Sequence, residues 1–485
     1  TRDVVYDSIL TSKKKILHDK IGSAVEKLYA GRIEEQFELL AHHYALSENW
    51  EKALYFGRLS AEKAHKLSQF QQAVTMYEQA VEWLLKLPKN KIRQEALVDI
   101  QLEICWSNIG LGEFEKAGNI GLQAETTAKL LNDRVRLGIT YLGISTAYVY
   151  RGNFKKTEHY SLQAIQYLEG TSEVRELAIA NLVLGACYIG QGLWQKSEPR
   201  FSIAIKTYEK LGQKTDYVMG WNALPYTILC GQLGYNLGVM GRISEGKELF
   251  EKGYASELEQ VSNLTTKMAY CSWQGLFISL VGEDHFGATT KIDQLVELAE
   301  QSGSPFMILV FSVVKANIML AIEKFESVLS SSQKALKAIE GKSNRTGHII
   351  NLYYDLARAE LESGEIESAK LHYEEGRKLV ELAPNWWMPR FDFLKGLILI
   401  AETSPDHALA EECFINSIKV DEETGAVVPA AQTRYYLTQI FACKGEVGRA
   451  RMMLTELHSQ FESWGIPVWK QICEKELKDL MYADS

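Results

Sequence analysis

The sequence predicts an all-α fold in which helical hairpins stack into a superhelix with a step of about 41 residues. Three observations carry that reading. A short turn motif recurs along most of the chain at nearly constant spacing. Large and small residues alternate at helical spacing on both sides of each turn. The composition favours helix, with nine prolines in 485 residues and abundant Leu, Ala, Glu and Lys, which lose little rotamer freedom in a helix.

The motif is glycine, two residues later an apolar plug, and five residues later a small residue. It appears as Gly112-Glu-Phe-Glu-Lys-Ala117, Gly152-Asn-Phe-Lys-Lys-Thr157, Gly192-Leu-Trp-Gln-Lys-Ser197 and Gly241-Arg-Ile-Ser-Glu-Gly246. A looser copy starts at Gly282, then come Glu323 to Val328, Gly364 to Ala369, a divergent copy near Ser404, and Gly445 to Ala450. The starts are 40, 40, 49, 41, 41, 41, 40 and 41 residues apart. Each position has a physical task. Glycine ends a helix in the left-handed conformation, the plug closes the hairpin, and the small residue lets the second helix approach the first. The longer step between Gly192 and Gly241 contains Pro225 and predicts a longer or kinked helix there.

The flanks resemble the tetratricopeptide repeat. Leu184, Gly185 and Tyr188 precede one turn, and Ser197, Phe201 and Ala204 follow it. Gly234, Phe250 and Gly253 repeat the pattern around Gly241, and Ala357, Ala369, Tyr373 and Gly376 around Gly364. The resemblance implies a right-handed α-α superhelix that binds partners on its concave wall. The departure is length, because the familiar unit is about 34 residues. Two shorter hairpin motifs lie upstream, Glu48 to Ala53 and Ser68 to Ala73. The expected organisation is a helical junction at 1–33, short entry helices at 34–88, about nine long hairpins at 89–465, and a capping helix at 466–485.

The first sixty residues carry a second resemblance. Arg2 to Leu10, Leu17-His18, Lys20-Ile21, Ala24 to Glu26 and Leu40 to Tyr44 look like the junction between nucleotide-binding module and helical-repeat sensor in bacterial STAND-type signalling ATPases. In many of those proteins a class III nucleotide cyclase or a protein kinase lies further upstream. The resemblance implies a native protein longer at its N-terminus. It also implies that the partner of this region is a protein or peptide, such as an upstream ATPase or cyclase module, or a small-molecule ligand. The DNA-binding helix-turn-helix that ends the related maltose-regulon activator has no counterpart after Trp464.

Charge and motifs exclude several classes. The formal charge is −9 with signs interspersed, unlike a nucleic-acid-binding face, and Lys13-Lys14-Lys15 is the main basic run. Phe306 to Ile322 is the most apolar stretch, yet Lys315 and Asn317 interrupt it, so it reads as a buried helix and not a membrane span. Seven widely spaced cysteines without a C-x-x-C predict neither disulfides nor zinc, but six or seven small core residues in a cytoplasmic protein. Gly341-Lys342-Ser343 lacks the rest of a P-loop, and Gly234, Gly238 and Gly241 read as helix-packing or helix-ending glycines. His42 and His43 are adjacent and cannot face one metal together, and His285 and His407 fall in divergent turns. No catalytic, cofactor-binding or metal-ligating residues are expected, and the chain is read as a non-enzyme.

With the turn glycine as a ruler, the residues expected on the concave wall are Trp106, Tyr235, Trp273, Asn317, Tyr354, Arg358, Tyr435 and Gln439. Aromatic area with a few polar anchors suits an extended peptide or a sugar-like ligand. The carboxylate clamp of chaperone-binding relatives is not expected, because Leu102, Trp106, Leu142, Thr146, Leu182 and Ala186 hold its positions.

Overall fold

The computed structural model describes residues 10–212, 224–258, 264–284, 287–340, 347–380 and 384–483. Those residues are helical almost throughout, with no strand among them. They cluster into two compact units. One comprises 10–147 with 163–173, and the other holds the rest of the described chain. The start of the ATPase-like junction (residues 2–9), His285 and the Gly341–Ser343 tripeptide lie outside the described residues.

The turn chemistry explains the element boundaries. Gly112, Gly152, Gly192, Gly241, Gly282, Gly364 and Gly445 all have φ between 68 and 81°, the left-handed region that closes a helix. Where the motif lacks glycine, Glu48, Ser68 and Glu323 take the same conformation at φ 58 to 61°. The plug residue then begins the next helix, as Phe114, Phe154, Trp194 and Phe325 do.

In the first unit, helices Phe37–Leu46, Trp50–Lys66, Phe70–Leu84, Lys91–Leu111 and Phe114–Leu131 pack in chain order. Glycines take the largest rings: Trp83 lies over Gly57 and Phe70 over Gly110. Tyr44 stacks on Phe56 at 5.8 Å, and its hydroxyl donates to Glu26, which Lys52 also reaches at 2.8 Å. His43 is half-buried and shares a 2.8 Å N···N contact with His18, while His42 is exposed.

The second unit is built from α1 (Val174–Gly190), α2 (Trp194–Leu211), α3 (Pro225–Val239), α4 (Ile243–Leu258), α5 (Leu264–Val281), α6 (Ala288–Gln301), α7 (Pro305–Ala321) and α8 (Phe325–Ile339). It continues with α9 (Gly347–Glu362), α10 (Ile366–Val380), α11 (Pro384–Ala401), α12 (His407–Thr424), α13 (Val427–Cys443), α14 (Val447–Trp464) and α15 (Pro467–Ala483). Each odd helix from α1 to α13 packs on the even helix that follows it, and successive odd helices from α1 to α11 also lie against one another. Pro225 is not a kink. It is the first residue of α3, where its missing N–H costs nothing, and α2 already ends at Gly212 with φ 65°. The proline inside a helix of that repeat is Pro199.

The odd helices show why the stack is more than a row of neighbours. All fifteen residues of α3 are buried, and α3 carries no charged side chain. A helix buried on every face, with Thr227, Gln232 and Asn236 as its amide and hydroxyl side chains besides tyrosines, must be covered all round. The far end of the same unit supplies the cover. α1 meets α11, and α3 meets α13. The Arg390 guanidinium donates to the Tyr235 hydroxyl at 2.9 Å, and the Gln432 amide donates to the Leu280 carbonyl at 2.8 Å. These pairs are 155 and 152 residues apart in sequence. Repeats in this unit therefore touch more than their immediate neighbours, because the inner wall closes on its own C-terminal hairpins.

The apolar stretch near residue 310 is α7, buried along most of its length, and no described helix is long and apolar enough to cross a membrane. Five cysteines are buried (Cys105, Cys187, Cys230, Cys413 and Cys473). Cys271 is half-buried and Cys443 exposed, fewer core thiols than the spacing suggested.

Candidate functional site

The eight residues expected on a concave wall fall into different surroundings. Trp106 belongs to the first unit, is 5% exposed and packs in the core of helix Lys91–Leu111. The other seven lie on the odd helices of the second unit. Tyr235 and Asn317 are buried, and Trp273, Tyr354, Arg358 and Gln439 are half-buried. Tyr435 is buried against Trp469, and its hydroxyl accepts from the Gln439 amide at 3.2 Å.

Five of the seven converge. Tyr235 and Trp273 approach at 5.6 Å, and Trp386 stacks on Trp273 at 6.4 Å with the rings 9° apart. Trp194, the plug of its turn, meets both Tyr235 and Trp386 edge-on at 6.0 Å. Next to them on α9, the Asp355 carboxylate accepts from Asn317 and, at 3.0 Å, from Asn351. Tyr354 leans on Phe391 at 6.0 Å, and the Arg358 guanidinium lies 5.7 Å over Phe393 while pairing with Glu362 at 3.0 Å.

Residues from α11 and α12 complete the cluster: the Trp386-Trp387 pair that the sequence places at the start of a first helix, and Arg390 and Asp421, which stand outside the expected wall positions. Arg390 lies 5.9 and 5.2 Å over the rings of Trp386 and Trp387, a cation–π arrangement. Its charge acts on Tyr235, Tyr354, Asp355 and Asp421. Trp387 is core at 2% exposure, whereas Trp386 and Arg390 stay half-exposed. A signal for these residues was present in the sequence: Trp386, Trp387 and Arg390 stand within five positions of one another on a first helix.

Electrostatically the cluster is unusual. Burial pushes the Asp355 carboxyl well above the usual carboxylate range, against the opposing pull of Arg390, the Asn317 hydrogen bond and Arg358. Burial also raises Asp421 to about 8, again opposed by Arg390. Asp421 thus favours the neutral form near pH 7 and Asp355 is shifted in the same direction, while the guanidiniums stay charged. A test follows for Asp421. Between about pH 4 and 8 the folded chain keeps a proton that the unfolded chain has released. The stability this carboxyl contributes is complete below pH 4 and is lost as pH rises through 8. Asp421→Asn should remove that slope. In urea unfolding from pH 5 to 9, the gap between variant and parent should widen in the variant's favour toward alkaline pH.

The first unit has a separate concavity of about 720 Å³ between helices Phe37–Leu46 and Phe70–Leu84. Glu38, His42, Gln71, Thr75, Gln79 and Trp83 line it. Among the described residues no group of three or more His, Cys, Asp or Glu side chains is placed to hold a metal ion.

The helices and turns define an all-α protein of tetratricopeptide-like helical hairpins. No family model matches the chain, and no curated protein does. Among solved structures it is similar to apo RapI, at 13% identity and TM-score 0.43, over 59% of this chain and 99% of that one. It is similar to a Rap protein complexed with competence and sporulation factor, at 13% identity and TM-score 0.41, over 89% and 98%. Human IFIT1, crystallised as a dimer with m7Gppp-AAAA, gives 13% identity and TM-score 0.44 over 88% and 90%.

Proposed function

We propose that this chain is a non-catalytic binding domain, the sensor and scaffold arm of a larger signalling ATPase. The observation that carries the binding role is the half-open state of Trp273, Tyr354, Trp386 and Arg390, clustered on an inner wall whose α3 and α7 helices are largely buried. Aromatic faces beside a fixed guanidinium hold a ligand by stacking and directed hydrogen bonds. The resemblance of residues 2–44 to a STAND-type junction supports the placement beside an ATPase, with a cyclase or kinase as the further output. A ligand that fits one arrangement of the hairpins better than another would then bias the attached module.

A thermal-shift screen of sugars, other metabolites and short peptides tests the binding role. At least one compound should raise the melting temperature in a concentration-dependent way. Trp273→Ala and Tyr354→Ala should each abolish that rise while helix content by circular dichroism stays unchanged. Nucleotide turnover that survives repurification of the chain would replace this reading with an enzymatic one.

A further inference from the structure

The polar groups around Arg390 are out of balance. Among the described residues its guanidinium makes one hydrogen bond, to the neutral Tyr235 hydroxyl, and no carboxylate pairs with it within 4.0 Å. On the neighbouring α9, Nη1 of Arg358 is buried with no hydrogen-bond partner. The indole N–H of Trp386 is buried with no acceptor in good hydrogen-bond geometry, the Tyr235 hydroxyl being the group beside it. The two acids that could answer this charge, Asp355 and Asp421, are themselves held toward the neutral form by burial. A guanidinium with no carboxylate at pairing distance is uncommon on such a wall, and buried donors rarely go without acceptors. What the cluster lacks is an acceptor carrying negative charge.

We propose that the inner wall of the second unit binds an organic anion, a carboxylate or phosphate on a flat apolar body, with Arg390 as the anchor. This rests on the binding-domain reading and names the ligand class for the same residues. The Arg390 fork suits a two-oxygen acceptor, and its stacking on Trp386 and Trp387 holds the fork in one orientation. Arg358 Nη1 and the Trp386 N–H are further donors for the same head group. Trp273 and Tyr354 offer the faces on which an apolar body lies. Burial holds Asp355 and Asp421 toward the neutral form, which lessens their repulsion of an anion.

Benzoate, phenyl phosphate and the neutral isostere benzamide are the probes, titrated into the full chain by calorimetry and tryptophan fluorescence. Saturable binding of benzoate, of phenyl phosphate or of both, at least tenfold tighter than benzamide, supports the proposal, and the stronger of the two identifies the head group. Arg390→Met should weaken the preferred anion at least tenfold. If Arg390→Met loses helix content, Arg358→Met carries the test with a smaller loss expected. Equal binding of benzamide and benzoate overturns the anion assignment and leaves the binding domain standing, as does unchanged anion affinity in a folded Arg390→Met. Failure of all three probes, while the thermal-shift screen finds a neutral ligand, also overturns it.

Discussion

Phe201→Ala should cost about 3–5 kcal/mol of stability, as for other fully buried aromatic truncations. The ring is 0% exposed and fills the space that Gly185 leaves on the partner helix: a Cβ built at Gly185 would lie 2.5 Å from it. Because a glycine faces the ring, no neighbouring side chain can swing in to close the hole, and most of the cavity should persist. The midpoint of urea unfolding, followed by circular dichroism, should fall without a change in slope. A loss under about 1 kcal/mol would mean that the α1–α2 hairpin is looser than the packing of this ring indicates.

Gly246→Ala is expected to be the next most damaging change, although alanine is ordinarily the better helix former. A Cβ at Gly246 would stand 2.6 Å from the Gly234 carbonyl oxygen, and one at Gly234 would stand 3.0 Å from the Gly246 oxygen. The obstacle is backbone, which cannot rotate away, so α3 and α4 would have to separate. Overpacking of this kind costs about 1–3 kcal/mol, and the helix propensity gained returns about 1 kcal/mol at most. Gly448→Ala, on α14 with nothing within 4 Å of its Cβ, is the matched control and should be neutral or stabilising. A Gly246→Ala chain as stable as that control would show that the two backbones are not in contact.

The repeat was readable because its turn is dictated by local chemistry. Gly192 ends a helix, Trp194 plugs the hairpin and Ser197 admits the second helix, all within six residues, and the structure uses each in that way. Phe201 opposite Gly185 was equally legible, since the pair recurs as Phe250 opposite Gly234. Glu323 at φ 58° was not, because only the register of its neighbours forces a glutamate into a conformation glycine prefers. The surroundings of Tyr235 were least legible. Its hydrogen-bond partner, Arg390, arrives from 155 residues downstream, and no local pattern reports such a distance. A hint existed in α3, which lacks any charged residue and is mostly apolar, a composition that favours burial on every side. Pro225 misled for a related reason: a proline within a long interval fits either a kink or a fresh helix start, and the left-handed Gly212 decides for the start.

The bridges from Tyr235 to Arg390 and from Leu280 to Gln432 have a bearing on how this architecture can evolve. An open array gains or loses a module at little penalty, since every junction is alike. Here two seams must meet after a set number of turns, so duplicating or deleting one hairpin between them would carry Arg390 past its phenol and Gln432 past its carbonyl. Diversification in this half of the molecule is thereby confined to side chains and turns, with the module count held constant.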